Sequence, residues 1–101
     1  KDAARTRWAL LNRFVDEGMA GLELSDVAVW VALFRNAGAD GVATVARARL
    51  IELTRLAPRT VKVSFQRLMQ AGWVERMRRG GPVGGVAVYR VKIPKPSGVQ
   101  K

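Results

Sequence analysis

Apolar residues recur every three or four positions at the start of the chain. The series consists of Trp8, Leu11, Val15 and Met19, and Phe14 lies beside it. This period is typical of one face of an amphipathic helix, and we predict a helix from Asp2 to about Gly18. Gly18 and Gly21 are the candidate stop signals.

A second helix is predicted to begin at Leu24-Ser25-Asp26. The Ser25 hydroxyl can accept a hydrogen bond from the free amides of the first turn, and Asp26 suits the positive end of the helix. The run from Val27 to Ala37 is almost entirely apolar, as expected of a central core helix. Gly38 should end that helix.

Two short helices joined by a tight turn should follow an edge strand at Val42 to Thr44. The third helix should run from about Ala46 to Thr54, and Pro58 should open the fourth. The connection is Arg55-Leu56-Ala57. The inward side chains of the third helix should be Leu50, Ile51 and either Leu53 or Thr54. Those of the fourth should be Val61, Phe65, Leu68 and Met69.

The C-terminal part is rich in β-branched and aromatic residues. Residues 73–79 and 86–93 form two such runs around the glycine-rich segment 80–85, which predicts an antiparallel hairpin. Trp30 and Trp73 fall at inward positions and should be core residues. We treat 1–93 as one domain, with an extra helix over 1–20 and the core over 24–93, followed by a tail at 94–101.

The composition narrows the function classes. The chain has 101 residues, no cysteine and no histidine, so disulfides, zinc sites and the commonest nucleophile–base pairs are excluded. The glycine-rich segment lacks the lysine of a phosphate loop. We therefore expect no catalytic residue, no metal and no cofactor. Because no apolar run could span a bilayer, we expect a cytoplasmic protein without a membrane partner.

Charge is segregated along the chain. Residues 1–45 carry five basic and six acidic side chains, whereas residues 46–101 carry thirteen and two, for a net charge of +11 in that part. Such an excess is usually matched by a polyanion, with nucleic acid ahead of anionic membrane. Solubility alone would not require the segregation.

The predicted elements follow a familiar order: a helix, a tight turn, a second helix that begins with proline, and a hairpin. The segments 50–61 (LIELTRLAPRTV) and 68–74 (LMQAGWV) resemble winged helix-turn-helix domains of bacterial transcription regulators and replication initiators. The resemblance spans about residues 24–91. It implies an α+β fold with a three-helix core and a β-hairpin wing, duplex DNA as partner and a nucleoid-associated location. The family usually has glycine where Arg55 stands and serine where Ala57 stands.

The fourth helix has one face available for DNA. With Val61 at zero and 100° per residue, Arg59, Val63 and Gln66 project at about 140–200°, opposite the core stripe. Arginine and glutamine pair with base edges, and valine can meet a thymine methyl. The candidate recognition residues are Arg59, Thr60, Lys62, Val63, Gln66 and Arg67. Candidate phosphate contacts are Arg47, Arg49 and Arg55, and candidate wing contacts are Arg76, Arg78 and Arg79.

The sequence also allows a second function, in which the domain binds a protein instead of DNA. A winged-helix module could instead dock a protein partner, or a second copy, through the Trp8-Leu11-Val15-Met19 series. We favour packing of the first helix on its own domain, because the apolar second helix needs cover. The target DNA sequence, the choice between transcription and replication, and the oligomeric state stay undetermined.

Overall fold

The computed structural model describes residues 2–78 and 86–94. It is an α+β fold with four α-helices and a three-stranded antiparallel sheet. The helices are α1 Asp2–Arg13, α2 Leu24–Asn36, α3 Arg47–Thr54 and α4 Pro58–Ala71; the strands are β1 Val42–Thr44, β2 Val74–Arg78 and β3 Val88–Val91. The predicted hairpin tip 80–85, Arg79 and residues 95–101 of the predicted tail lie outside the described residues.

The sheet has the order β1-β3-β2, so β3 is its central strand. Ala43 of β1 pairs with Tyr89, and Val74 of β2 pairs with Val91. The register shifts between Arg76 and Arg78, where one extra residue bends the exposed strand. Both the short edge strand at 42–44 and the antiparallel pairing of the two later strands are thereby confirmed.

The core is built around α2. Val29, Trp30 and Leu33 of that helix are completely buried. The Phe14 ring stacks on Trp30 at 3.8 Å between centroids and meets Trp73 edge-on at 5.3 Å. The Trp30 indole N–H donates to the Trp73 carbonyl oxygen at 3.3 Å, so the buried polar atom is satisfied. Trp30 and Trp73 are core residues, as predicted.

The orientation predicted for the first helix is wrong for Trp8, Val15 and Met19, whereas Leu11 of the same series is partly buried against the core. Phe14 is buried, whereas Trp8 is 65% exposed, Val15 49% and Met19 38%. Two apolar stripes overlap on this helix, and the one carrying Phe14 with the partly buried Leu10 packs inward. The flat Phe14 ring fills the space beside Trp30, which decides between the stripes. The helix nevertheless covers its own domain, as predicted.

The α-helix ends at Arg13, before the predicted end at about Gly18, and helical turns of other types continue to Gly21, the second candidate stop. After Arg13 the chain forms a π-helical segment, Phe14–Gly18, and then a 3₁₀ turn, Met19–Gly21. Gly18 is buried, and a Cβ atom there would lie 2.8 Å from the Trp73 ring. Glycine is therefore needed at position 18 for close packing rather than for ending the helix.

The start of α2 is capped differently from our prediction. Glu23, not Ser25, is the N-cap residue, and it forms a reciprocal capping box with Asp26. The backbone N–H of Glu23 donates to an Asp26 carboxylate oxygen at 3.0 Å. An Asp in the third helical position can reach back in this way, whereas Ser25 is the second helical residue, two positions after the N-cap, and so does not cap the helix. At the other end, Ala37 rather than Gly38 is the C-cap.

The connection between α3 and α4 consists of Arg55, Leu56 and Ala57, as predicted. Arg55 ends α3 with φ of 60°, in the left-handed region that favours glycine. Ala57 is the N-cap of α4 without a side-chain hydrogen bond, and Pro58 is the first helical residue. Thr54 rather than Leu53 turns inward, because its hydroxyl donates to the Leu50 carbonyl oxygen at 2.7 Å.

The hairpin follows α4 directly. Gly72 ends α4 with φ of 90°, and a Cβ atom there would lie 2.9 Å from Pro94. The Phe65 ring of α4 stacks on Tyr89 of β3 at 4.4 Å between centroids. These contacts hold the sheet against one flank of α4. Across the described residues, no helix combines the length and apolar character needed to cross a membrane.

Candidate nucleic-acid interface

One exposed depression gathers residues from α3 and α4. It is lined by Arg47, Pro58, Arg59, Lys62, Val63 and Gln66. The face of α4 opposite its buried Val61, Phe65 and Leu68 forms most of this surface, and α4 contains no acidic residue. The depression is therefore positively charged and carries donors, an amide and one half-buried apolar side chain.

Arg47 is positioned by its place at the start of α3. Its guanidinium carbon lies 5.7 Å from the centroid of the Phe65 ring, so the cation leans toward α4. The structure thus brings Arg47 together with the predicted recognition residues Arg59, Lys62, Val63 and Gln66.

Arg49 lies on a different surface. It donates to Glu52 at 3.1 Å and lines a groove between α2 and α3 with Val31, Arg35 and Leu53. Two residues along a helix are about 200° apart, so Arg47 and Arg49 cannot share one face. Arg49 is therefore placed away from the α4 depression, and its expected phosphate contact stays a prediction.

Arg67 is engaged with a buried carboxylate of α2. Its Nε atom donates to both oxygens of Asp26, at 3.0 Å and 2.8 Å. Asp26 has no solvent exposure, while the Arg67 side chain is 40% exposed. Beside this pair the hydroxyls of Ser64 and Ser25 hydrogen-bond at 3.1 Å. Arg67 therefore links α4 to α2, a role that sequence reasoning missed.

Burial of the Asp26 carboxyl disfavours its charged form and acts to raise its pKa. Hydrogen bonds from Arg67, Ser64 and the Glu23 N–H outweigh burial and hold the pKa of Asp26 below its usual value. The same hydrogen bond raises the pKa of Arg67. Both groups are charged at neutral pH. The sequence signal was an acid on the buried face of an apolar helix, which requires a cationic partner.

The hairpin brings further cations beside the end of α4. Arg76 and Lys92 line a second depression together with Glu75 and Met69. Arg78 is exposed, and its guanidinium donates to the Val86 carbonyl oxygen at 3.4 Å across the base of the hairpin. The Glu75 carboxylate lies 4.0 Å from Arg90 and partly offsets the charge here.

The other predicted contacts lie outside the α4 depression. Thr60 is half-buried in the first turn of α4, and Arg55 is exposed in the turn before it. Arg79 falls outside the described residues. Sequence reasoning also missed Arg7, whose guanidinium stacks on Phe34 and donates to the Ala37 and Phe34 carbonyl oxygens at 2.8 Å and 3.1 Å. Arg7 thereby caps the end of α2.

A scan against protein-family models finds no match to this chain, and a search of curated proteins finds no significant match. Its function is therefore argued from the geometry and chemistry of the surface. In the described ranges, no cluster of three or more carboxylate, thiol or imidazole side chains is placed to hold a metal ion.

Proposed function

We propose that this chain is a winged helix-turn-helix domain that binds duplex DNA, with α4 in the major groove and the β2–β3 hairpin as wing. One observation carries the proposal. Arg47 from α3 and Arg59, Lys62 and Gln66 from α4 line one exposed, acid-free depression. The order of elements, with two helices, a tight turn and a hairpin on a three-stranded sheet, supports the same reading.

The chemistry of the α4 face suits base edges. Arg59 can donate two hydrogen bonds to guanine, and Gln66 can pair with adenine. Val63, between them on the helix surface, can contact a thymine methyl group. Arg47 at the start of α3 can hold a phosphate and so set the register of α4 in the groove. Transcription regulation and replication initiation both use such a domain.

Phosphate contacts supply the affinity. Residues 46–101 carry a net charge of +11, and the exposed cations of α4 and of β2 lie in that part. Neutralising phosphates releases counterions, so log affinity should fall with log salt by about 0.9 per phosphate contacted. A response that stays flat across the salt series would contradict nucleic-acid binding altogether.

The test is fluorescence anisotropy of a labelled, mixed-sequence duplex across a salt series. The sharpest variants are Arg47→Ala and Arg49→Ala, which remove equal charge from one short helix but from different faces. Arg47→Ala should weaken binding about tenfold and lower the salt slope by about one unit, whereas Arg49→Ala should change both much less. Equal effects of the two variants would show that net charge, and not the α4 depression, binds DNA.

A bound pool selected from randomised duplexes would identify the preferred site. Arg59→Ala should then relax selection at particular positions, because a bidentate donor reads one base pair. Failure to enrich any sequence, with salt-dependent binding intact, would restrict the proposal to non-specific DNA binding.

A further inference from the structure

The N-terminal helical segment consists of α1 and the π-helical and 3₁₀ turns that follow it to Gly21, and its solvent side carries an apolar strip that the fold leaves open. The strip consists of Trp8, Val15 and Met19, and 65% of the Trp8 side chain is exposed. An exposed tryptophan in line with two other apolar side chains is a common mark of an interaction surface. The buried face of α1 already holds the helix in place through Phe14, so the strip is not needed for that purpose.

The charged residues of α1 show what this strip fits. Arg7 is engaged with Phe34 and two carbonyl oxygens, and Arg13 pairs with Glu17. Arg5 and Asp16 are exposed, and neither forms an ion pair with any side chain that the structure describes. Among the side chains of this segment that the structure describes, one unpaired cation and one unpaired anion therefore remain, near its opposite ends.

Both residues lie on the same flank of the strip. With Trp8 at zero and 100° per residue through Arg13, Arg5 falls at about 60°. The π-helical segment after Arg13 turns less per residue, which keeps Asp16 on the same side of Trp8 as Arg5 and places Val15 and Met19 together on the other side. When two helices pair antiparallel about a two-fold axis, like flanks face each other. Arg5 of one helix then faces Asp16 of the other, and the pairing occurs twice.

The spacing along the helix fits the same arrangement. A two-fold axis can place Trp8 of one copy opposite Val15 of the other. Arg5 of one copy and Asp16 of the other are then offset along the helix by two residues, about 3 Å. An arginine side chain spans that offset easily. Apolar strip and charges are thus self-complementary under one symmetry operation, as an interface between identical copies requires.

The position of the strip leaves the α4 surface open. α1 and the turn after it pack near Trp30 and Phe34 in the second half of α2, whereas Asp26 in its first turn contacts Arg67 of α4. None of the three strip residues lines the α4 depression. The N-terminal part is also nearly neutral, with five basic and six acidic side chains in residues 1–45, so two copies meet there without strong repulsion.

We infer that the Trp8-Val15-Met19 strip binds a second copy of this chain, as an antiparallel, two-fold α1–α1 pair flanked by Arg5–Asp16 ion pairs. One short helix from each copy makes a small interface, so the dimer is weak, with a dissociation constant of about 10–100 μM. The inference does not depend on DNA binding, and it is tested without DNA.

The experiment is sedimentation velocity of the full chain from about 5 μM to about 1 mM, which brackets that dissociation constant. The wild type should shift from monomer to dimer over this range. Trp8→Ala should weaken the dimer at least about tenfold, because the substitution removes an anchor from both copies. Val31→Ala, which removes a comparably exposed apolar side chain from α2, should leave it unchanged. Circular dichroism checks that both variants stay folded.

Reversing the charges of Arg5 and Asp16, singly and together, tests whether the partner is a second copy of this chain. Arg5→Glu or Asp16→Arg alone should weaken the dimer about three- to tenfold, because each puts like charges together twice. The double variant Arg5→Glu/Asp16→Arg should restore dimerisation, since the ion pairs re-form with reversed sign. A monomer throughout, a dimer insensitive to Trp8→Ala, or a double variant no better than the single ones would overturn the inference.

Discussion

The N-terminal helical segment, α1 with the turns that follow it, and α4 both lie at the surface and bury an aromatic residue, yet the side chains that they expose to solvent differ in character. α4 exposes Arg59, Lys62 and Gln66 and has no acidic residue, whereas α1 exposes an apolar strip flanked by one cation and one anion. Both helices bury an aromatic ring in a stack, Phe65 on Tyr89 and Phe14 on Trp30. The common buried chemistry reflects one core, and the different outer faces are the reason that we propose different partners for the two helices.

The comparison also explains why one helix was oriented correctly from sequence and the other was not. α4 has one apolar stripe, and apart from Pro58 and Ala71 at its two ends every other position is polar or half-buried, so its inward face is unambiguous. α1 has apolar residues over more than half its circumference. Leu10 and Phe14 compete there with Trp8 and Val15, and periodicity alone does not rank the two sets.

The largest expected effect is on the free energy of unfolding, when the buried and the exposed aromatic side chains of the N-terminal helical segment are truncated in turn. Phe14→Ala should lower the free energy of unfolding by about 3–5 kcal/mol, because it opens a cavity between Trp30 and Trp73. Trp8→Ala should cost less than about 1 kcal/mol, because most of that side chain is already in solvent. Chemical denaturation of dilute protein measures both. If Trp8→Ala destabilised the protein more than Phe14→Ala, Trp8 and not Phe14 would be the buried residue, and the orientation of α1 given above would be wrong.

The link between α2 and α4 should be pH-dependent. The pKa of Asp26 is lowered in the folded state, so its contribution is complete above the unfolded-state value of about 3.9 and is lost as pH falls further. Asp26→Asn should therefore cost about 1–3 kcal/mol near pH 7, and the difference from wild type should narrow below about pH 4. Urea denaturation from pH 7 to pH 3 checks this, with the exposed Asp40→Asn as control. A difference that stays constant with pH would show that ionisation of Asp26 contributes nothing.

On the basic side, α4 and the hairpin should play different roles in DNA binding. Arg59→Ala or Gln66→Ala should cost about 1–3 kcal/mol on the preferred duplex and change base preference. Removing Arg76 and Arg78 together should weaken all duplexes alike and lower the salt slope by up to about two units, because the backbone is uniform. Competition against single-base variants of the site separates the two. A change of preference in the hairpin variant alone would move base reading from α4 to the hairpin.

The smallest effect concerns the turn before α4. Ala57 provides no side-chain acceptor for the free amides of the first turn. Ala57→Ser should add a hydrogen bond and raise the free energy of unfolding by about 0.5–1 kcal/mol. Thermal unfolding measures this gain, and Ala57→Val is the control that adds volume without an acceptor. A gain equal in both variants would attribute the effect to packing instead of capping.

Several elements could be predicted from sequence because their signals are local. Pro58 and Gly72 mark the ends of α4, since proline fits the first helical position and Gly72 adopts a positive φ that only glycine takes without strain. The apolar run of α2 and the two β-rich runs likewise predicted their elements. The positively charged surface followed from where the cations fall along the chain.

The candidate interface was only partly accessible in this way. Arg47 and Arg49 are indistinguishable in sequence, and the contact of α3 with Phe65 places Arg47 alone beside α4. Arg67 looked equivalent to Lys62 as a flanking cation, yet Asp26, 41 positions earlier, holds it. Pairings over such distances depend on how helices pack, and no local pattern encodes them.

The sequence by itself determined the helix and strand order, the segregation of charge and the face of α4 that meets solvent, because residue spacing and turn chemistry act within a few positions. Only the tertiary structure decided which stripe of α1 is buried, which cations are free and which are paired, and that Gly18 admits the Trp73 ring at close range. These outcomes depend on shape complementarity between distant segments, where one flat ring or one buried carboxylate selects among several arrangements that the local pattern allows equally.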